Sequence, residues 1–332
     1  MSTEIQNEKL LWLLQISRKM LTTRNLQQLL ALITDSFVEL TQADRGFLFL
    51  RDRKTGILVQ KAAQTAQGIA IVSSEPHITG IANKVLKQNK SVFSTDMGPA
   101  NELPEQALLN DIDHKLLVCA PLATESETIG VLCADGAAGF DPSNPTNHRT
   151  VELLAEHSAA AVANARMFER ATNDPLTGLP NSSYFLLELA KIMQEATSSA
   201  PAGILLLDLD SFKRVNNAAG AEVGDQALID VGMTLQELLR ADGFVARYGS
   251  DKFAILIPDA NSAKIGVCLR DVAERARAAI AAKTYHSIQL SACIGGISLP
   301  QERLESAPDA VAMADDLLSA ARARGTGEVE IL

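Results

Sequence analysis

Residues 247–253 read Arg247-Tyr248-Gly249-Ser250-Asp251-Lys252-Phe253 and lie between two apolar runs. The spacing predicts one short strand over 244–248 and a second over 253–257, the latter stopped by Pro258. Gly249 supplies the backbone freedom that a tight reversal needs, so the strands form a β-hairpin whose turn projects Asp251 and Lys252 from the end of a sheet.

Working outward, the apolar run 204–207 reads as a buried strand ending in Asp208-Leu209-Asp210. A strand that ends in carboxylates, beside a hairpin with a carboxylate at its turn, is one way a sheet presents acids to a divalent metal. Asp208 and Asp251 are therefore expected to face each other, although either acid alone reads as an ordinary solvated strand end. Helix is expected over 184–196, loops over 198–203 and 216–225, and a long helix over 225–240. Upstream, residues 173–181 break a helix with Pro175 and cluster turn formers, which marks a domain boundary.

Residues 174–332 closely resemble a GGDEF domain, the diguanylate cyclase module that condenses two GTP molecules into cyclic di-GMP. The resemblance rests on 174–181, on Asp208-Leu209-Asp210-Ser211-Phe212-Lys213 with Asn216, Gly220, Gly224 and Asp225, on Arg247-Tyr248-Gly249, and on Ile294-Gly295 and Ala314-Asp315. It implies a metal, Mg2+ or Mn2+, held by Asp208, the Leu209 carbonyl and Asp251. It also implies guanine recognition by Asn216 and Asp225, an amide and a carboxylate that can pair with the base edge. Phe212, Lys213 and Arg322 complete the implied nucleotide-binding set.

Departures from the family pattern concentrate where phosphate and metal belong. The signature occupies Gly249, Ser250, Asp251, Lys252 and Phe253, so serine replaces its second glycine and lysine its glutamate. A protonated ammonium cannot ligate a metal. At an effective dielectric near 20, unit charges roughly 4 Å apart interact by about 4 kcal/mol, so a reversed charge weighs heavily on the site. Arg322 keeps the charge of the expected phosphate-binding lysine, whereas Thr326 replaces an arginine and Ala221 a histidine. In the Arg-x-x-Asp motif for product inhibition, Arg240 is present but the aspartate, Asp242, stands one position early. A one-residue shift in an extended segment turns a side chain to the opposite face.

In the first half, apolar positions Leu26, Leu29, Leu30, Ile33, Phe37 and Leu40 predict an amphipathic helix, with Thr22, Thr23 or Asn25 as its cap. Residues 5–20 also read as helix and carry Trp12, expected in a core or dimer contact. A hairpin follows with strands at 47–50 and from Ile57, then strands at 91–93, 115–122 and 128–134, and a closing helix over 147–170. This α+β order resembles a GAF domain, a sensory module that holds a small ligand and often dimerises. Ala43-Asp44-Arg45-Gly46-Phe47, Val118-Cys119-Ala120-Pro121-Leu122, Ile129-Gly130-Val131-Leu132 and Ala163-Asn164-Ala165-Arg166 carry it. No motif identifies the ligand. His77, Asp111, Asp113 and His114 read as solvated loop residues. Leu154, Ala161 and Phe168 recur every seven residues, which fits either a helix packed on its own sheet or a dimeric signalling helix.

With 332 residues, 47% of them hydrophobic, the chain is long enough for two domains, expected at 1–172 and 173–332. The net charge of −10 argues against a nucleic-acid binder. No apolar run approaches the roughly 20 residues of a membrane span and the N-terminus is unlike a secretion signal, so a cytoplasmic location is expected. Cys119, Cys133, Cys268 and Cys293 read as reduced, packed thiols. The expected fold is α+β: an antiparallel sensor sheet, a connecting helix and a mainly antiparallel C-terminal sheet. The expected role is a homodimeric protein of the cyclic di-GMP system whose second domain, degenerate as a cyclase, binds a nucleotide or docks a protein partner. The alternatives are a weak cyclase acting on GTP and a cyclic di-GMP receptor.

Overall fold

The computed structural model describes residues 2–94, 117–136, 140–141, 143–239, 243–258, 265–301 and 304–332. The chain divides into two compact units, Met1–Phe168 and Glu169–Leu332.

In the first unit, α1 (Ser2–Thr22) and α2 (Leu26–Thr41) precede β1 (Arg45–Arg51), β2 (Leu58–Thr65), α3 (Pro76–Gln88), β3 (Val92–Ser94), β4 (Leu117–Ala123), β5 (Thr128–Asp135) and α4 (Pro145–Thr172). Asn25 is the cap of α2, its side chain accepting the Gln28 N–H at 2.9 Å. The strands form an antiparallel sheet in the order β2-β1-β5-β4-β3. Leu48 and Leu50 join the core beneath α1, α2 and α4, while Phe47 and Phe49 join the core beneath α3. Both faces of β1 are covered, which is why its sequence is apolar throughout rather than alternating.

Two expectations for this unit change, and an open alternative is resolved. His77 is not a solvated loop residue: it lies in the first turn of α3, which Pro76 opens, and is buried. Asp111, Asp113 and His114 lie outside the described residues. Cys119 and Cys133 are directly opposed on β4 and β5, with Cα atoms 4.2 Å apart, and form a disulfide rather than two free thiols. Leu154 and Ala161 of the seven-residue repeat are buried in this unit's own core, and Arg24 covers the Phe168 ring at 5.5 Å. The repeat is therefore the packed face of α4. Trp12 packs partly buried against the same core and donates to Glu39 at 3.2 Å.

The second unit comprises α5 (Ser182–Glu195), β6 (Ala202–Asp210), α6 (Phe212–Ala219), α7 (Ala221–Leu238), β7 (Phe244–Arg247), β8 (Lys252–Ile257), α8 (Ile265–Ala281), β9 (Thr284–Tyr285), β10 (Ile288–Gln289), β11 (Ser291–Leu299), α9 (Ala307–Arg324) and β12 (Val329–Ile331). Its main sheet has the order β12-β11-β6-β8-β7, antiparallel except for the β11–β12 pair. Central strand β6 is buried along its whole length. Leu205, Leu207 and Leu209 face the core shared with α7 and α8, and Ile204 and Leu206 face the core shared with α5 and α9. The alternation of β6 therefore puts Asp208 and Asp210 on the α5 and α9 side.

The expected loop over 216–225 is instead the junction of α6 and α7, broken only at Gly220, whose φ is 89°. Phe212 and Val215 bury one face of α6, and this packing holds a helix where the turn formers suggested a loop. No helix among the described residues is long and apolar enough to cross a membrane.

Candidate functional site

β6 ends in both acids, as the sequence suggests, and β8 and β11 flank it on either side. Asp208 pairs in register with Lys252 on one side and Cys293 on the other, and Asp210 pairs with Ser291. Asp210 is a structural acid. Its Oδ2 accepts from the Ser291 hydroxyl and from the Gly327 N–H, both at 2.8 Å, which ties the turn after α9 to the strand.

Asp208 is different. Its side chain is only 4% exposed, and Oδ2 accepts from Arg322 Nη1 at 2.8 Å. Oδ1 is buried with no hydrogen-bond partner among the described residues. Burial pushes its pKa up, the Arg322 charge opposes that, and the Asp251 charge adds to it. At the turn, the Asp251 carboxylate accepts from the Ser250 hydroxyl at 2.7 Å, and its backbone carbonyl accepts from the Leu209 N–H at 3.1 Å. Serine in the glycine position thus orients the neighbouring acid.

Lys252 has an acid partner on α9, and its charge also acts on Asp208. Its ammonium donates to Asp315 on α9 at 2.7 Å. The close approach of α9 makes this possible: a Cβ on Gly295 of β11 would lie 2.2 Å from the Leu318 nitrogen and 2.4 Å from the Ala314 carbonyl oxygen. Without a side chain there, α9 lies directly on the strand and brings Asp315 to Lys252 and Arg322 to Asp208.

Arg247 holds the other side of the turn. It donates to the Ser250 carbonyl at 2.7 Å, to the Gly249 carbonyl at 3.2 Å and to Asp174 at 2.9 Å. Asp174 also accepts from the Thr177 N–H and hydroxyl, both at 2.8 Å. Burial raises the Asp174 pKa, but the bonds from Arg247 and Thr177 outweigh it and leave the net value lowered.

Asn216 lies on α6 and Asp225 in α7. A Cβ on Gly224 would come within 1.8 Å of Asn216 Oδ1, so glycine there lets the amide lie against the start of α7. Lys213 is exposed, whereas Phe212 is buried in the core under α6. Arg240 lies outside the described residues. The donor set fits a hard divalent cation, because Asp208 Oδ1 is an orphaned buried oxygen and the Asp251 carboxylate stands close enough for its charge to act on it. Asp174 and Asp315 stand in the quoted motifs, but their ion pairs are not readable from the sequence, because the partners lie 73 and 63 residues away, beyond any local pattern.

Residues 171–328 match the family model described as diguanylate cyclase, GGDEF domain, and residues 23–163 match the GAF domain model. Diguanylate cyclase DgcP of Pseudomonas aeruginosa is 37% identical over 119 residues, 36% of this chain and 17% of that protein. Diguanylate cyclase A of Treponema denticola is 28% identical over 219 residues, 64% of this chain and 58% of that protein. The chain thus spans less than two thirds of the length of these curated relatives. Among solved structures, the coiled coil and GGDEF domain of DgcB from Caulobacter crescentus in complex with c-di-GMP is 23% identical, covering 57% of this chain and all of that one, with a TM-score of 0.49.

Proposed function

For a chain in which residues 23–163 form a GAF domain and residues 171–328 a GGDEF domain, we propose a signalling protein of the cyclic di-GMP system whose second domain binds a guanine nucleotide or docks a partner protein without turning substrate over. The observation that carries this reading is Lys252. It stands where the family signature has a carboxylate, and its ion pair with Asp315 fixes an ammonium beside the acids. Asn216 and Asp225 would read the base, and Lys213 and Arg322 would meet the phosphates. A divalent ion, Mg2+ or Mn2+, would be held by Asp208, the Leu209 carbonyl and Asp251, and would supply charge neutralisation to the phosphates.

The proposed assembly is a cytoplasmic homodimer. Leu10, Leu11, Leu14 and Leu21 of α1 are each more than half exposed at helical spacing, a face suited to a second copy of the chain. Replacing Leu14 and Leu21 by glutamate is expected to yield monomers in sedimentation equilibrium, and an unchanged mass would remove α1 from the interface.

Catalysis is tested by incubating the protein with GTP and Mg2+ or Mn2+ and measuring cyclic di-GMP. Product from the native chain is expected to stay below detection, and Lys252→Glu is expected to bring formation to at least about tenfold above the detection limit, a barrier lower by at least about 1.4 kcal/mol. Sustained multiple turnover by the native chain would overturn the reading. It would favour the second one, a weak cyclase, for which the orphaned Asp208 oxygen next to Asp251 is the supporting observation.

A further inference from the structure

Asp208 is half satisfied. One oxygen belongs to Arg322, and the other is buried and accepts nothing among the described residues. Arg322 reaches it from the last turn of α9, with 48% of its side chain exposed. A buried carboxylate held by a single arginine that is itself half in solvent is poorly compensated for a structural pair, and its free oxygen is the donor that a cation would take.

We propose that Arg322 gates the cation site, neutralising Asp208 while no nucleotide is present and releasing it when phosphate arrives. This rests on the preceding reading of Asp208 and Asp251 as cation ligands and deepens it. A divalent ion approaching Asp208 Oδ1 meets the guanidinium charge already seated on Oδ2 of the same carboxylate. A nucleotide polyphosphate offers Arg322 a competing anion with matching fork geometry and more charge. Once the guanidinium turns to phosphate, both Asp208 oxygens are open and the repelling charge is spent on the ligand. Cation and nucleotide therefore bind with positive coupling, and the coupling is reciprocal. The Lys252 charge also acts on Asp208, but its hydrogen bond goes to Asp315, so only Arg322 has a bond to the acid to release.

The test uses the whole 332-residue chain and counts free Mn2+ by its electron paramagnetic resonance signal, first without nucleotide. Arg322→Gln is expected to tighten Mn2+ binding about tenfold, and adding Asp208→Asn is expected to erase the gain. Unchanged or weaker Mn2+ binding by Arg322→Gln, or a gain that survives Asp208→Asn, overturns the proposal. Arg322→Ala also removes the charge seated on Oδ2, and it decides the matter if the glutamine variant does not fold: a gain supports the gate, and no gain overturns it. With a non-hydrolysable GTP analogue present, native Mn2+ affinity is expected to rise, and to rise less in Arg322→Gln; an equal rise in both overturns the coupling. If the analogue binds no variant, the nucleotide reading fails, while the nucleotide-free comparison still decides the part played by Arg322.

Discussion

Two arginine–aspartate pairs, one in each unit, use the same groups to opposite ends. In the first unit Asp135 is 1% exposed, and both its oxygens are taken by Arg45, from Nε at 2.9 Å and Nη2 at 2.5 Å. Arg45 spends a further donor on Glu75 at the start of α3, at 2.7 Å. In the second unit Asp208 is nearly as buried, but only one of its oxygens is bonded. Arg45 and Asp135 sit opposite each other on adjacent strands, so the backbone register delivers a two-pronged contact. Arg322 comes from a helix and reaches its acid with one nitrogen. A saturated pair holds a fold together, and an unsaturated one leaves an acid available to a ligand. The Arg247–Asp174 pair stands between them, with both side chains less than one-fifth exposed and the acid sharing its bonds with Thr177.

This ordering breaks if stability does not follow it. Arg45→Ala strands a buried carboxylate and is expected to destabilise the first unit by about 3 kcal/mol. Trp12, the single tryptophan, reports that unit's unfolding in urea by fluorescence. Arg247→Ala removes the three hydrogen bonds to Asp174, Gly249 and Ser250 but leaves Asp174 the two from Thr177, so a loss of about 2 kcal/mol is expected in the thermal unfolding of the second unit followed by circular dichroism. Arg322→Ala is expected to cost less than Arg45→Ala by the same measurement, because the arginine is half exposed and bonds only one oxygen of its acid. A loss as large as that of Arg45→Ala would make Arg322 a structural residue and erase the contrast.

Acid sharpens the comparison further. Asp174 has an ordinary value of 3.8 that folding lowers, with burial opposing and the Arg247 and Thr177 bonds prevailing. It therefore contributes stability above pH 3.8, lost as the pH falls from there through the lowered folded value. Arg247→Ala is expected to flatten this acid limb in a stability-against-pH series. An unchanged slope would mean that Thr177 alone sets the Asp174 pKa.

Much of the architecture was legible in the chain. Period-two and apolar runs located the hairpin at the signature turn and strand β6, and helical spacing located α2 and α4. Packing overruled local chemistry at α6 and decided between two possibilities at α4. Residues 216–225 read as a loop, yet Phe212 and Val215 bury a face and make α6 a helix. The seven-residue repeat in α4 matched a dimer seam equally well, and only burial shows that it faces its own core.

Residue type and order alone give the second unit its acids, amides and cations, and put lysine where the signature usually has a carboxylate. Which cation meets which acid was decided by the tertiary structure. α9 lies on β11 only because Gly295 has no side chain, and that approach gives Lys252 to Asp315 and Arg322 to Asp208. Ion pairs between residues 63 and 114 positions apart depend on how a helix docks on a sheet, and no local spacing encodes that.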